Sequence, residues 1–502
     1  MAEQQKRISL CMIVKNEEKY LSGCLDSVQG IADEIIIVDT GSTDETIAIA
    51  ERYGAIVIRS EWEHDFAKAR NRGVERASGE WILFLDADEQ LDEATKPQLL
   101  EYIRHADLSA LLLQIRNQIG PENDQGSTIH PVLRMFRNDL GHRFEGRIHE
   151  QISFSILRKN PSARFHLTEV IIHHYGYRTQ VVAEKNKLQR NMELLELALA
   201  EEPENTFHRY NIGVEYLRNN RAADALEAFR IAKRSAGFEQ LSYAHLVFKY
   251  ESLSLQLLGR WEEAGAAARE GAAIFPDYTD LRHYMAFCSA CTGQYKAAME
   301  AVEKALEMGA APARYHTEDG MGTYRTAYLQ GRIYEALHDE QGLIQSYITT
   351  LRHKPSLLPP LFRICKYMRT AGREGQLAAL MARRISCPDE AAMLKLAGVM
   401  VASGCPDSAI AYLEWQAELY KEPALSRSLT AHAGAMRDGD YSGLPFAGYR
   451  GKEEAEDILS PSIHWRVRAE HYLEQVQRMK GKTIEKQSIQ AVRLLLPGFE
   501  GW

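Results

Sequence analysis

Two short stretches hold the side chains best placed to do chemistry. In Val38-Asp39-Thr40-Gly41-Ser42-Thr43-Asp44, a carboxylate directly follows the apolar run Ile35-Ile36-Ile37-Val38 and precedes a tight turn. A carboxylate in that position is poorly solvated unless a partner meets it. Its oxygens can accept the imide N–H of a uracil or a ribose hydroxyl. Ser42 and Glu45 also fit a capping box, and Asp44 fits a first helical turn, both purely structural roles. The second stretch is Trp81-Ile82-Leu83-Phe84-Leu85-Asp86-Ala87-Asp88. Alternate residues of an extended strand share a face, so Asp86 and Asp88 are expected to point the same way. Two close carboxylates repel unless a cation relieves them. A hard divalent ion with oxygen ligands, Mg²⁺ or Mn²⁺, fits and also takes substrate phosphates.

The elements that must position these groups are legible upstream. Ile8–Val14, Glu34–Val38, Ala55–Ile58 and Trp81–Leu85 read as strands whose unbroken apolar runs call for cover on both faces. Amphipathic stretches Glu17–Val28, Asp44–Tyr53 and Phe66–Ala77 alternate with them. That alternation predicts an α/β domain with a mainly parallel sheet. Its ligands would bind at the carboxyl ends of the strands, where Asp39 and Asp86 fall.

After about residue 185 the strand signal gives way to helical periodicity. Gly259-Arg260-Trp261 with Ala264 recurs as Gly293-Gln294-Tyr295 with Ala298, a spacing of 34 residues. Asn220 with Ala225 and Gly404 with Ala409 repeat the offset, Gly372 with Leu377 less clearly, and the stretch around His338 less clearly still. A helix–turn–helix unit of this length resembles the tetratricopeptide repeat. Such arrays stack into a solenoid with a concave surface. The expected organisation is a domain over 1–180, a linker helix over 181–204, repeats over 205–435, and a C-terminal loop and helix over 436–502, with Ser462–Lys480 as the last helix.

Composition excludes several classes. The 502 residues carry 60 Lys+Arg against 69 Asp+Glu, a formal charge of −9, which argues against bulk electrostatic binding of nucleic acid. Hydrophobic residues make up 45% and charged residues 26%, ordinary values for a folded globular chain. No run approaches the ~18 apolar residues of a membrane span, and Met1–Arg7 leads into no signal-peptide core. The 7 cysteines suit a reducing cytoplasm better than a disulfide framework, and the lone Cys288–Cys291 pair reads as buried apolar packing. Gly481-Lys482-Thr483 lacks the upstream glycine of a Walker loop, and no GxGxxG occurs.

Four motifs in order carry a specific resemblance. They are Met12-Ile13-Val14-Lys15-Asn16-Glu17-Glu18, the Asp39–Asp44 turn, Phe66-Ala67-Lys68-Ala69-Arg70-Asn71, and Ala77-Ser78-Gly79-Glu80 leading into Asp86-Ala87-Asp88. With them, residues 8–90 resemble the nucleotide-sugar-binding half of a GT-A-fold, family-2-type glycosyltransferase. The added repeats resemble a bacterial subgroup that includes the peptide S-glycosyltransferases of glycocin biosynthesis, other protein glycosyltransferases and core-oligosaccharide transferases. The resemblance implies that Asp39 contacts the base or ribose of a UDP-sugar and that Arg70 lies near the base or diphosphate. It implies that Asp86 faces the ribose or a metal-bound water and that Asp88 ligates Mn²⁺ or Mg²⁺. Glu17 would touch the nucleoside, or else sit in a first helical turn behind Asn16 as N-cap.

Downstream, Gly146-Arg147-Ile148-His149-Glu150 and His173-His174-Tyr175-Gly176-Tyr177 look like local motifs of the repeat-bearing subgroup. An inverting transfer needs a base opposite the leaving group. Glu150 is the candidate, unless it pairs with Arg147 or Arg143, and Glu89 competes. No second His makes His149-Glu150 a zincin helix. His174 would complete the metal shell or bind the diphosphate, or else be bonded in the core. Arg134 and Arg137 suit phosphate oxygens, or lie on a strand surface. The expected activity is transfer of a sugar to a hydroxyl or thiol of a polypeptide held by the repeats, with a possible homodimer. The alternatives are a lipopolysaccharide-core or lipid-linked glycan acceptor, and a non-catalytic scaffold.

Overall fold

The computed structural model describes residues 7–118, 127–138, 141–175, 181–420 and 422–445. The expected last helix, Ser462–Lys480, lies outside them. The chain divides into two compact units. The first comprises Met1–Leu258, Glu270–Tyr278 and Ala311–Asp319, and the second Gly259–Arg269, Thr279–Ala310 and Gly320 onward.

The first unit begins β1 (Ile8–Val14), α1 (Leu21–Ser27), β2 (Glu34–Asp39), α2 (Thr46–Arg52), β3 (Ile56–Arg59), α3 (Phe66–Arg76) and β4 (Trp81–Phe84). It continues with β5 (Glu89–Leu91), α4 (Gln98–Tyr102), β6 (Ala110–Gln118), β7 (Ser127–Arg137), α5 (Ser153–Lys159) and β8 (Phe165–His174). The sheet order is β3-β2-β1-β4-β7-β6-β8-β5, with β9 (Thr317–Glu318) paired to β7. The apolar runs split by parity. Ile8, Leu10, Met12, Val14, Trp81 and Leu83 enter one core with α1, while Cys11, Ile36, Ile82 and Phe84 enter another with Val74 and Ile156. Both faces are covered, which is why these strands read as continuous apolar runs.

The expected α/β sheet is therefore present, and it is parallel where its strands were legible: β1 pairs in parallel with β2 and β4, and β2 with β3. Beyond β4 it becomes mixed, because β7 runs antiparallel to both β4 and β6 while β6 and β8 are parallel. The short β9 is a strand after residue 185, where only helices were expected.

Two expected helix caps are absent. The side chain of Glu45 does not cap α2. Ser42 instead accepts the Asn16 N–H at 2.9 Å, and the Asn16 side chain accepts the Thr43 N–H at 2.8 Å. Asn16 has φ 55° and lies outside α1. These side chains reach across to the neighbouring strand end, where unpaired amides are nearer than those of their own helix. Bonds from Glu18 N–H to Asp44 and from Glu45 N–H to Glu18 complete this cross-linking of the two turns.

Helices α6 (Val181–Glu201), α7 (Thr206–Arg218), α8 (Ala222–Lys233) and α9 (Ala244–Leu257) follow, then α10 (Trp261–Ile274), α11 (Thr279–Cys291) and α12 (Tyr295–Met308). The rest are α13 (Tyr324–Ala336), α14 (Glu340–His353), α15 (Pro359–Thr370), α16 (Leu377–Arg384), α17 (Glu390–Ala402), α18 (Pro406–Leu419) and α19 (Pro423–Arg437). The repeat shows in the backbone. Asn220, Gly259, Gly293, His338, Gly372 and Gly404 all end their helices with φ from 57° to 79°, the left-handed conformation that lets a helix stop and turn. Five residues later Ala225, Ala264, Ala298, Leu343, Leu377 and Ala409 are each 0% exposed. Cys288 and Cys291 are buried thiols on α11.

Candidate active site

The site grows from the end of β4 and the face of α3. Asp65 caps α3 by accepting the Lys68 N–H at 2.9 Å. Asn71 then bonds both backbone groups of Phe144, donating to its carbonyl at 3.0 Å and accepting its N–H at 2.8 Å. The Phe66 N–H donates to Arg147 O at 2.8 Å. These bonds dock segment 144–151 along α3, and a Glu145–Gln151 bridge with His149 at φ 53° bends it back. Glu150 thereby meets Arg70, one turn along from Phe66. The sequence left Arg143 and Arg147 open as partners of Glu150, but they pair with Glu75 and Glu201.

Arg70 joins Glu150 to Asp86. Its Nη2 lies 3.0 Å from Asp86 Oδ1, and its guanidinium packs 5.6 Å from Phe84 and 5.7 Å from Phe144. Arg134 on β7 lies beside Phe84, one step past the Leu83–Met135 pair. It bonds Asp86 Oδ2 at 3.3 Å and Glu89 Oε1 at 2.5 Å. Glu89 Oε2 accepts the Asp86 N–H at 3.0 Å. Burial opposes the charge on Asp86, but the Arg70 and Arg134 guanidiniums outweigh it and hold this carboxyl well below the usual range. Burial holds Glu89 above its ordinary value, with Arg134 pulling the other way and Asp86 adding to the rise.

Asp86 and Asp88 do not share a strand face. The strand ends at Phe84, and residues 86–89 turn back through a Glu89 N–H to Asp86 O bond of 3.0 Å. Asp86 goes to the two arginines. Asp88 faces His174, whose Nε2 lies 3.3 Å from Asp88 Oδ2. The β5–β8 pairing puts His174 opposite Glu89. Burial works against a charged His174, but the Asp88 hydrogen bond and the carboxylates nearby raise its pKa overall.

A divalent cation suits part of this arrangement. Asp88 and His174 offer one oxygen and one nitrogen side by side, a donor pair acceptable to Mn²⁺. Among the described residues, no three His, Cys, Asp or Glu side chains converge as a ready metal shell. The remaining ligands would have to come from substrate phosphates and water, as is usual for Mg²⁺-type sites.

The other sequence candidates fall nearby or elsewhere. Asp39 is 3% exposed, and its carboxylate accepts the Gly41 and Ser42 N–H groups of its own turn at 3.0 and 3.1 Å. Glu17 lies in the turn after β1, its N–H donating to Thr46 at 2.7 Å. Arg137 stacks on Trp81 at 4.6 Å and donates to Leu108 O at 2.8 Å, a structural role. The Ser78-Gly79 pair is structural too. Glu34 accepts from Ser78 and Ser9 at the opposite ends of the strands, and a Cβ on Gly79 would lie 2.7 Å from the Ser9 backbone. Asn117 and His130, which support His174, were not visible in the sequence, because the strands that carry them gave no clear pattern.

Residues 9–164 match the Glycosyl transferase family 2 model. This stretch of the chain is similar to that family. The TPR repeat-containing protein Synpcc7942_0270 of Synechococcus elongatus is 35% identical over 206 residues, 40% of this chain and 50% of that protein. The SPbeta prophage-derived glycosyltransferase SunS of Bacillus subtilis is 33% identical over 201 residues, 39% of this chain and 46% of that protein. The chain thus spans about half the length of these curated relatives. An uncharacterized glycosyltransferase of Rickettsia felis is 38% identical over 122 residues, 24% of this chain and 42% of that one. No helix among the described residues is long and apolar enough to cross a membrane.

Proposed function

We propose that the chain transfers a sugar, with inversion, from a UDP-sugar to a hydroxyl or thiol of a polypeptide. One observation supports this most. In a family 2 glycosyltransferase domain, two buried guanidiniums flank the strand-end carboxylate, and each keeps a buried N–H without a partner among the described residues, Arg70 Nη1 and Arg134 Nε. Buried donors without acceptors are costly, and guanidinium N–H groups match phosphate oxygens. A diphosphate would meet that need at the carboxyl ends of the strands, with the nucleoside toward Asp39 and Glu17. Asp88 and His174 would hold Mn²⁺ or Mg²⁺ there, and the cation would offset the charge on the departing diphosphate.

The base is assigned to Glu150. An anionic donor competes for Arg70 and loosens its hold on Glu150, whose side chain is 10% exposed. Glu89 is 1% exposed and bonded on both oxygens, so it buttresses Arg134 and the Asp86 turn. A thiol acceptor needs less help than a hydroxyl, since part of it is already thiolate at neutral pH. The repeats would hold the polypeptide and raise its effective concentration. Mass spectrometry of peptides and glycans incubated with the full chain, a panel of UDP-sugars and Mn²⁺ tests this. Modified peptide is expected. Transfer to glycans alone would overturn the acceptor assignment, and no turnover of any UDP-sugar would overturn the function.

A further inference from the structure

His174 is held from behind as well as in front. Its Nδ1 lies 2.7 Å from Asn117 Oδ1, and Asn117 Nδ2 lies 3.4 Å from His130 Nδ1. Asn117 pairs directly with His174 between β6 and β8, and His130 sits diagonally on β7, two residues from the Thr128 that faces Asn117. The outer side of His130 is closed by His316, whose ring stacks on it at 4.5 Å and 21°. His316 directly precedes β9, which fixes its place beside β7.

The orientation of the Asn117 amide sets the hydrogens of this row. Burial above all lowers the His130 pKa to about 4, so at neutral pH this ring is uncharged and its Nδ1 is able to accept. The Asn117 NH₂ faces His130, and its carbonyl oxygen faces His174. An oxygen with no hydrogen can only accept, so His174 Nδ1 must carry the proton.

We propose that Asn117 is a positioning residue that keeps the His174 proton on Nδ1 and thereby leaves Nε2 for the cation beside Asp88. The proposal rests on the reading of Asp88 and His174 as cation ligands. A histidine that ligates through Nε2 gains from a fixed acceptor on Nδ1, because the ring cannot flip and its tautomer is already set.

The test uses the full-length chain with Asn117→Ala, Asn117→Asp and His174→Gln. Mn²⁺ binding in the presence of UDP is read from the electron paramagnetic resonance of free Mn²⁺. Asn117→Ala is expected to weaken Mn²⁺ by about 10–100-fold. Asn117→Asp, whose carboxylate accepts the same N–H, should keep an affinity near that of the parent. A second readout needs no metal. Long-range proton–nitrogen correlation of ¹⁵N-histidine protein, above the imidazole's titration, should show the His174 proton on Nδ1 in the parent and a mixture in Asn117→Ala. His174→Gln identifies the signal.

Parent-like Mn²⁺ affinity in Asn117→Ala, even with a lowered melting temperature, would overturn the proposal by reducing Asn117 to a cross-strand bond. A parent His174 with its proton on Nε2 would overturn it as well. If the parent binds no Mn²⁺ with UDP, the cation reading itself fails, and the nitrogen spectrum alone decides what Asn117 does to the ring.

Discussion

Replacing Arg134 with methionine isolates the electrostatics of the buried cluster. Asp86 would keep Arg70 at 3.0 Å, but Glu89, 1% exposed, would keep only the Asp86 N–H at 3.0 Å. A buried carboxylate stripped of its partner has two courses. It can stay charged, at about 3–5 kcal/mol, or it can take a proton. Protonation costs about 1.4 kcal/mol for each pH unit above the unfolded-state value, which is ordinarily 4.5 for Glu. The second course therefore costs about 3 kcal/mol at pH 7 and under about 1 kcal/mol at pH 5, and the cheaper course sets the loss. The sign follows from linkage: burial already holds the folded-state Glu89 value above its ordinary one, and removing Arg134 raises it further. The variant should thus match the parent most closely below pH 4.5 and fall behind as pH rises. Urea unfolding followed by tryptophan fluorescence, with Trp81 buried in β4, measures the deficit at each pH. Adding Glu89→Gln to Arg134→Met should abolish its pH dependence. A deficit equal at both pH values, or a slope that survives Glu89→Gln, would refute the reasoning.

Three further outcomes follow from the same structure. Glu150→Gln should lower kcat by about 10²–10⁴-fold with little change in donor KM, whereas Glu89→Gln should mainly cost stability; the reverse pattern in steady-state kinetics would move the base to Glu89. In the second unit, Glu335 accepts from Arg363 and from the Tyr347 hydroxyl at 3.0 Å, and burial of its carboxyl is outweighed by Arg332 and Arg363, which lower its pKa. Glu335→Gln should cost about 3 kcal/mol at neutral pH; because a depressed carboxyl stabilises above its unfolded value and loses that as pH falls, the variant should also show a shallower loss below pH 4.5 in thermal melts. His338→Gly should raise the melting temperature, since glycine relieves a left-handed φ of 58°, a gain of about 0.5–1 kcal/mol after its entropy cost.

The first four strands were legible because cover on both faces gave them unbroken apolar runs. The later strands were not. Strand β6 shifts register between Leu111 and Leu112, which spoils its alternation. Strand β7 contains Pro131, a residue that normally argues against an inner strand. Pro131 stands opposite Gln114 of β6 and, along the other edge, falls between the stretch facing β4, Met135–Arg137, and the stretch facing β9, Thr128–Ile129. The acidic pair was found, but its geometry was misread, because sequence shows a strand's apolar run and not the turn that ends it. Arg70 and Glu150 were both flagged, while their contact depends on Asn71 gripping Phe144, 73 residues away. The repeat turns were legible even at His338, where a left-handed residue stands in for glycine. One consequence concerns truncation. Removing everything after about residue 200 would also remove β9, His316 and the Gln114–Ala313 bond of 3.4 Å from the catalytic sheet. Lost activity in such a fragment would therefore say nothing about acceptor binding.

The central claim is that Asp88, beside His174, seats a divalent cation against the diphosphate of the donor. Calorimetric titration of UDP into the full chain, with Mn²⁺ and again with chelator, tests it most directly when repeated with Asp88→Asn. Tight UDP binding that needs Mn²⁺ and is lost in Asp88→Asn is the result expected. UDP binding that is equally tight in chelator, or unchanged in Asp88→Asn, would contradict it.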